Sequence, residues 1–489
     1  MTLAINNRRL KSLFVVILLL YLVEYLVLWL NNFSVNGIPS WINIVVFLIT
    51  AILYFLSERR GNLLCFELMF LPVYFVGMFY NEIIMSNLDG VILGIGGSLS
   101  SAVTQPEYLL KSQTIQMIGY ISFMLGCICA NSRFLPSLSG RTYKEEHSTI
   151  NYNAIVFILS LILLGVIVLM YIQGLFNTWF AYSEGLSEEE SNKGLGLITP
   201  LCTMATVAEF SYLGKSGVSS MKVFLKKVNK LYFVEIIGIS FLLIISGNRN
   251  EMLLIFLPFV VAFSVFIKKL KDSVVIIGLF AGAVLMIIIG LTRTGSVFNP
   301  SVMDLYDMSE DYSLVEQNCT YLIKYTDEKE PLLFSEFPQI VLSGIPFVGP
   351  RVIEALGLGY EKQSTQITTK GMASITSNTG LGTSLIGDLY YNAYMPFVVI
   401  YMILFGYFVS KLHKRFTVEK RYNMPLLLIY LCTTSNAVYY VREQWDFPIP
   451  DMLYSIIMLA IVAALFKKKG RKLTVERENH RSVKDVRTI

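Results

Sequence analysis

The sequence predicts an all-α polytopic membrane protein with about 12 transmembrane helices and one large extracytoplasmic loop. Three observations support this prediction: the apolar composition, the length of the apolar segments and the distribution of Lys and Arg. The 489-residue chain is 54% hydrophobic and 15% charged, whereas a soluble domain carries about a quarter charged residues. Its net charge of +5 is explained by membrane topology, and we do not interpret it as nucleic-acid affinity.

Twelve apolar segments have lengths close to those of membrane-crossing helices, which take about 20 residues. They lie at about 12–30, 41–56, 62–80, 113–132, 151–172, 195–214, 230–247, 250–267, 273–291, 385–410, 423–440 and 449–466. The first is longer than the core of a signal peptide, and no small-residue cleavage site follows it, so we expect it to stay in the membrane. The predicted organisation is nine spans in 1–291, a loop at 292–384, three spans in 385–466 and a basic tail at 467–489.

Lys and Arg are concentrated on alternate connections between these segments. If the N-terminal Arg8, Arg9 and Lys11 are cytoplasmic, the inner segments hold 30 of the 40 Lys and Arg residues and the outer segments hold 10. Every inner connection carries more of them than the short outer connections beside it, as the positive-inside rule requires. The sequence therefore predicts cytoplasmic N- and C-termini and an extracytoplasmic loop at 292–384.

The loop at 292–384 is too long to be a simple connection. Loops of this length are uncommon and are often functional. Residues 303–324 have helix-like apolar spacing with many acids, and 332–358 is apolar but interrupted by prolines. We expect two or three short amphipathic helices on the outer membrane surface. The polar segment 368–383 is the best candidate for a mobile substrate-binding element.

Four arginines lie on the predicted outer side, against the topology signal. They are Arg249, Arg293, Arg351 and Arg442. A guanidinium is permanently charged and planar, and it suits phosphate oxygens. Four of them near the outer leaflet would suit a diphosphate headgroup. The alternative is that each pairs with a nearby acid, for example Arg249 with Glu251 or Arg351 with Glu354.

Carboxylates near the same boundary are candidates for acid–base chemistry. Asp388 falls in the first turn of the segment 385–410, where a carboxylate is costly unless it is paired or used. Its alternative role is that of an N-terminal acid favoured by the helix dipole. Glu443 and Asp446 follow Arg442 and are either functional or its counter-charges. Three further acids, Glu67, Glu209 and Glu235, lie near predicted cytoplasmic ends, and we expect them to reach the interface.

Histidine and cysteine limit the chemistry on the outer side. The three histidines are His147, His413 and His480, and all fall in predicted cytoplasmic segments. An outward-facing reaction therefore lacks a histidine base, which excludes Ser-His acyl transfer and most zinc chemistry there. Only Cys319 lies clearly in the outer loop, and no Cys spacing suits a metal. We predict no metal site and no disulfide.

Three short motifs carry a resemblance to a known family. They are 246–253 (SGNRNEML), 382–391 (GTSLIGDLYY, followed by Asn392 and an apolar helix with Gly406) and 439–442 (YYVR). Together with the twelve-span plan and the large late loop, they make the chain similar to the Wzy-type oligosaccharide repeat-unit polymerases of bacterial O-antigen and capsule assembly. The motifs are short, and the resemblance in plan covers most of the chain.

The resemblance implies a metal-independent membrane glycosyltransferase without a cofactor, with a GT-C-like helical membrane fold, in the bacterial cytoplasmic (inner) membrane. Its substrates would be oligosaccharides linked to undecaprenyl diphosphate, polymerised into O-antigen or capsule on the outer face. The implied partners are this lipid-linked oligosaccharide, membrane lipids, a chain-length regulator and a flippase, with no nucleic acid.

The site residues follow from combining the resemblance with the residue types. Arg249, Arg293, Arg351 and Arg442 are expected to bind the diphosphate. Asp388 or Glu443 would accept the proton of the attacking sugar hydroxyl. Tyr390, Tyr391 and Trp445 would stack on sugar rings, although an aromatic belt at the membrane interface explains such residues equally well.

Three other functions remain open at this point. An O-antigen ligase has a similar architecture, but that family is associated with a histidine in its large outer loop, which this sequence lacks. A flippase or transporter of lipid-linked glycans would need charged residues through the bilayer and usually lacks a long outer loop. A non-catalytic membrane scaffold is the third alternative.

Overall fold

A computed structural model gives the fold of the chain. It describes residues 7–33, 35–57, 62–83, 106–131, 150–174, 195–218, 220–246, 249–294, 302–358, 362–372, 382–417 and 423–466. The regular elements within these ranges are all helices, as the fold-class prediction requires. The predicted basic tail at 467–489, the predicted outer connections at 84–105 and 175–194, and residues 373–381 of the predicted mobile element lie outside the described residues.

The helices follow the apolar segments of the sequence. In chain order they are α1 (Asn7–Leu30), α2 (Ser40–Ser57), α3 (Phe66–Ile83), α4 (Pro106–Asn131), α5 (Tyr152–Ile172), α6 (Leu195–Lys215), α7 (Met221–Lys227), α8 (Lys230–Ile245), α9 (Arg249–Phe266), α10 (Asp272–Thr294), α11 (Val302–Glu328), α12 (Phe337–Ser343), α13 (Gly349–Ala355), α14 (Ser364–Met372), α15 (Leu385–Thr417), α16 (Met424–Ser435) and α17 (Pro448–Leu465). Two 3₁₀ turns, Asn436–Val438 and Tyr440–Arg442, separate α16 from α17.

Six helices in the described part of the chain are long and apolar enough to cross a membrane. They are α1, α2, α4, α5, α15 and α17. The pair α7 and α8 passes the same test together but is bent by 103°. Shorter apolar helices cover Phe66–Tyr80, Asn250–Phe266, Asp272–Gly282 and Met424–Val438. These helices support a membrane protein, and every predicted apolar segment contains a helix.

Polar contacts join other segments of the chain to both ends of α15. Near its C-terminus, His413 Nε2 lies 2.9 Å from the Asn62 carbonyl oxygen, and the Asn62 amide donates to Ser264 Oγ at 2.8 Å. Near its N-terminus, Asp388 accepts a hydrogen bond from the Trp445 backbone N–H. The segments around Asn62, Ser264 and His413 therefore meet at one end of α15, and those around Asp388 and Trp445 meet at the other.

Helices α4 and α15 pack closely along their lengths. Two glycines make this approach possible. A methyl group added at Gly406 would overlap the Phe123 carbonyl oxygen, and one added at Gly126 would overlap the Ile403 carbonyl oxygen. Small residues at helix crossings are the usual way for membrane helices to bring their backbones together. This helix pair fixes the position of α15, which carries Asp388.

The large loop differs from the sequence expectation, because its first helix is long and partly inside the bundle. Helix α11 has 27 residues, and its second half packs against α3, α4 and α15. Val315, Cys319 and Leu322 are buried, at helical spacing. They fit gaps left by two glycines of neighbouring helices, Gly77 opposite Val315 and Gly387 opposite Cys319 and Leu322. The C-terminal half of α11 is therefore a core element.

A break in α15 attaches the rest of the loop to the bundle. Residues Ala393 and Tyr394 have non-helical backbone angles, and Pro396 follows. Proline has no N–H to bond the carbonyl four residues earlier, so the carbonyl of Asn392 is free for another donor. It accepts from the Leu333 N–H at 3.0 Å, and the carbonyl of Tyr391 accepts from the Leu332 N–H at 2.9 Å.

Three acids occupy the interior rather than the interface. Glu67, Glu209 and Glu235 are 1%, 0% and 6% exposed. Glu67 accepts hydrogen bonds from the Tyr54 and Ser410 hydroxyls, and Glu209 accepts from the Asn229 N–H at 3.1 Å. Our expectation that these side chains reach the interface was wrong for this reason: neighbouring helices supply interior donors to Glu67 and Glu209.

Candidate functional site

The candidate site is built on the N-terminus of α15. Gly382 has a φ of 69°, a conformation that favours glycine, and the next residue, Thr383, donates its N–H to the Arg442 carbonyl at 2.9 Å. The Asp388 N–H then bonds the Ser384 carbonyl at 2.8 Å and begins the helix. This arrangement places the helix start directly against the Tyr440–Arg442 turn and puts Asp388 in the first turn of α15.

Asp388 is buried, with 3% of its surface exposed. Its Oδ2 accepts from the Trp445 backbone N–H at 2.9 Å, and its Oδ1 accepts from the Asn392 amide at 3.5 Å. The structure thus joins Asp388 to the segment after Arg442, 57 residues further along the chain. The carboxylate is held in one position by groups from two different elements.

Two more carboxylates lie beside Asp388. Glu336 and Asp446 line the same small cavity, and each is 5% exposed. We call this the acidic cavity, with Asp388, Glu336 and Asp446 as its carboxylates and Ser364, Gln444 and Trp445 on its wall. Its volume is about 10 Å³, roughly the space of one water molecule. It joins two segments of the large loop, the start of α15 and the 444–446 segment.

Burial changes the acidity of the two cavity carboxyls that lie outside the membrane helices. Removal from water raises the pKa of Glu336 to about 7, and the nearby Asp446 carboxylate adds to this rise. The Lys362 N–H and the Lys362 charge oppose it. Removal from water also raises the pKa of Asp446 to about 6. Both groups therefore change protonation near neutral pH, the range in which a general acid or base is most effective.

The structure describes the side chains of two of the four predicted arginines, Arg442 and Arg351. Arg442 is half-buried. Its Nε would lie 3.4 Å from a Cβ atom added at Gly382, which is van der Waals contact. Glu443 is the next residue and is also half-buried. Arg351 is exposed on α13. Arg249 begins α9 and Arg293 lies near the end of α10, but their side chains lie outside the described part of the structure.

The predicted sugar-binding aromatics have three different environments. The Tyr391 ring is buried, and its hydroxyl donates to the Lys362 carbonyl at 3.3 Å. The Trp445 ring is stacked on Phe337 with centroids 6.1 Å apart and an interplanar angle of 10°. In this conformation Tyr391 and Trp445 hold the large loop against α15. Tyr390 lies on another face of α15 and lines a second, larger cavity.

This second cavity, which we call the lateral groove, has a volume of about 1040 Å³. It lies between α1, the start of α4, the end of α11 and the broken part of α15. Its lining residues are Leu22, Tyr25, Leu26, Trp29, Asn32, Phe33, Glu107, Tyr108, Lys111, Asp327, Tyr390, Tyr394, Met395, Pro396, Val399 and Ile400. One end is apolar, and the other contains an ion pair between Lys111 and Asp327 at 2.5 Å.

Sequence reasoning missed several residues of these two cavities. Glu336 was not singled out, and no sequence signal distinguishes it from the other loop acids. Asp446 was considered as either functional or a counter-charge to Arg442, but it was not placed among the candidate site residues. A signal did exist for Lys111, because it is the only Lys or Arg in the outer segment 81–112 and so opposes the topology rule. Its partner Asp327 is visible only in the structure.

Comparisons with protein-family models, with curated proteins and with solved structures found no match to this chain. Within the described ranges, no group of three or more His, Cys, Asp or Glu is arranged to hold a metal ion. The function is therefore argued from the geometry of the two cavities and from the sequence.

Proposed function

We propose that the chain is a membrane glycosyltransferase of the Wzy type, which polymerises undecaprenyl-diphosphate-linked oligosaccharide units into O-antigen or capsule. It would have twelve spans, a GT-C-like fold and cytoplasmic termini in the bacterial inner membrane, with the large loop and the acidic cavity on the outer face. A flippase would supply its lipid-linked units, and a chain-length regulator would act with it.

One observation supports this function best. The acidic cavity unites the first turn of α15, the 444–446 segment beside Arg442 and two segments of the large loop. Two of the three motifs on which the family resemblance rests, 382–391 and 439–442, therefore meet in space. Because Asp388 and the 444–446 segment are far apart in sequence, their meeting at a buried carboxylate favours a functional site over a topological anchor.

The proposed reaction moves the growing chain to an incoming unit. A hydroxyl oxygen at the non-reducing end of that unit bonds to the anomeric carbon of the growing chain. The bond from this carbon to the diphosphate oxygen breaks, and undecaprenyl diphosphate leaves. Asp388 or Glu443 accepts the hydroxyl proton. Arg442, with Arg249, Arg293 and Arg351, stabilises the negative charge on the leaving diphosphate.

The test is a polysaccharide gel from cells that lack the gene and carry the wild type, Asp388→Asn or Arg442→Ala. The wild type is expected to restore a ladder of chain lengths, and each variant to leave single capped units, with elongation reduced at least about 100-fold. Glu354→Gln and Lys329→Ala, exposed charges in the large loop, are matched controls that should keep the ladder.

Membrane levels of each variant are measured with a fluorescent fusion, so that loss of protein is not mistaken for loss of function. Wild-type ladders from both Asp388→Asn and Arg442→Ala would contradict the proposed site. Loss of every glycan band in the null strain, single units included, would favour a flippase or ligase. Purified protein that fails to elongate lipid-linked units by itself would contradict the enzyme assignment.

A further inference from the structure

We propose that the lateral groove binds the sugar head of a glycolipid, with the lipid chain along α1 and α15. The groove is separate from the acidic cavity. Tyr390 and Asp388 are two residues apart on α15, which places them on nearly opposite sides of a helix with 3.6 residues per turn. The groove is thus a second site, on the other face of the same helix.

The apolar end of the groove is suited to a hydrocarbon chain. Leu22 and Leu26 of α1 and Val399 and Ile400 of α15 all line it. Leu26 and Ile400 are 52% and 56% exposed, and both helices are long and apolar enough to cross a membrane. A hydrocarbon chain could enter the groove sideways from the bilayer. It would cover apolar protein surface there and stay out of water.

The opposite end is polar and is built around a buried cation. Lys111 Nζ pairs with Asp327 Oδ2 at 2.5 Å, and the Lys111 side chain is 6% exposed. The Tyr390 hydroxyl donates to Asp327 Oδ1 at 3.0 Å. Lys111 Nζ also lies 5.1 Å from the Phe33 ring centroid and 5.2 Å from that of Tyr390. Three elements thus fix the side chains at this end.

The charges of the lining exclude a simple anionic head. Lys111 contributes one positive charge, while Asp327 and Glu107 contribute two negative charges. A phosphate would gain one attraction and meet two repulsions. A sugar has no such penalty, since its hydroxyl groups can donate to the carboxylates and accept from Lys111.

Aromatic rings complete the polar end. Six line the groove: Tyr25, Trp29, Phe33, Tyr108, Tyr390 and Tyr394. Flat apolar rings beside a few fixed polar groups are the composition expected of a pocket that binds an amphipathic ligand. The volume of about 1040 Å³ lies slightly above the usual range for ligand pockets, about 300–1,000 Å³, and leaves space for more than one sugar ring.

Backbone strain points to the same place. Tyr394 has a φ of 57° and a ψ of −164°, a combination that is costly for a residue with a side chain. Such strain is found preferentially at functional sites. The break that contains Tyr394 turns Met395 and Pro396 into the groove lining. The bound glycolipid is thus distinct from the diphosphate-linked substrate of the proposed function, and its binding does not rest on that proposal.

The test is photo-labelling of the full chain in nanodiscs of phosphatidylglycerol and phosphatidylcholine. Three probes share a dodecyl chain with a diazirine and differ in their heads: an N-acetylglucosaminide, a phosphate and a phosphoethanolamine. Mass spectrometry measures the labelling of residues 22–33 and 390–400. The glycoside is expected to label these segments at least about fivefold more than either other probe. This ratio corresponds to about 1 kcal/mol of binding free energy.

Matched variants separate the groove from the general membrane surface. Ile400→Trp fills the groove and should lower glycoside labelling about tenfold, while Leu404→Trp, one turn away and 62% exposed, should not. Tyr394→Ala should lower it about fivefold. Tyr407→Ala is its control, since the two tyrosines are 39% and 38% exposed.

Equal labelling by the phosphate or the phosphoethanolamine probe would overturn the proposal, because the groove would then take an anion or a phospholipid. Unchanged labelling of Ile400→Trp would also overturn it. Labelling requires no polymer synthesis, so the two proposals fail separately. Asp388→Asn is expected to keep glycoside labelling while losing elongation. Elongation without glycoside labelling would reject only the groove.

Discussion

At the scale of single residues, the most informative feature is the group of three buried carboxyls around the acidic cavity. Asp388, Glu336 and Asp446 are each 5% exposed or less. For Glu336 and Asp446, removal from water disfavours the charged form and raises the pKa. Buried carboxyls of this kind lower the stability of the fold, and such groups are found preferentially at functional sites.

The pKa of Glu336 predicts a pH-dependent effect of removing its charge. Its pKa of about 7 in the folded chain exceeds the value of about 4.3 in an unfolded chain. The folded state therefore binds more protons, and stability due to this group is full below about pH 4.3 and is lost as the pH rises to about 7. Glu336→Gln keeps the uncharged form at every pH. It should raise the unfolding temperature at pH 8, by the equivalent of about 1–2 kcal/mol.

The measurement is intrinsic-fluorescence melting of the purified protein at pH 8 and pH 4.5. The gain for Glu336→Gln should be much smaller at pH 4.5. Glu354→Gln, at an exposed position, is the control. An equal gain at both pH values would mean that Glu336 acts through packing and not through its charge.

At the scale of elements, the break in α15 organises both cavities. It frees the Tyr391 and Asn392 carbonyls for the large loop, and so brings Glu336 to Asp388. On the other face it shapes the wall of the lateral groove at Tyr394 and Pro396. A single proline thus connects local backbone chemistry to the geometry of two candidate sites.

Replacing that proline should loosen the loop. Pro396→Ala restores an N–H that competes with the Leu333 N–H for the Asn392 carbonyl. Amide exchange in residues 332–340 should become about tenfold faster, as expected for the loss of about one hydrogen bond. Hydrogen–deuterium exchange measured by mass spectrometry checks this. Pro258→Ala, inside α9, is the control, and unchanged exchange in the Pro396 variant would show that the break has another cause.

At the scale of the whole molecule, the crossing of α4 and α15 holds the bundle together. Gly126 and Gly406 permit backbone contact between these helices. Helix α11 fills the space beside them, and α15 extends from the acidic cavity at one end to His413 at the other.

The crossing predicts a strong effect of one methyl group. Gly406→Ala should reduce the yield of monodisperse protein severely, at a cost of at least about 2 kcal/mol, because the added carbon overlaps the Phe123 carbonyl oxygen and rigid backbone must move. Size-exclusion chromatography with fluorescence detection measures the yield. Gly238→Ala, where nothing lies within 4 Å, should be tolerated. Equal yields from both variants would mean that the helices do not cross this closely.

The predicted topology can be tested on the same molecule. Arg351→Cys on α13 should react with an impermeant maleimide in intact cells, and Lys222→Cys on α7 only after permeabilisation. Both positions are exposed, while the six native cysteines are buried or half-buried and give little background. Reaction of Lys222→Cys in intact cells would contradict the assignment of the inner side.

The sequence alone determined the features that depend on local pattern. Apolar segments of suitable length predicted the positions of the helices, and their composition predicted a membrane protein. Asp388 was placed in the first turn of its helix, and the regions around 303–324 and 332–358 were expected to contain helices. All these features follow from interactions between residues close in the chain, which periodicity and composition reveal.

Only the tertiary structure decided which distant residues meet. Glu336 and Asp446 join Asp388 because the break at Pro396 leaves carbonyls for the loop and because the Arg442 carbonyl bonds the start of α15. Lys111 finds Asp327 because α11 enters the bundle between glycines of its neighbours. Such pairings depend on close packing in three dimensions, and the hydropathy pattern of the sequence does not predict them.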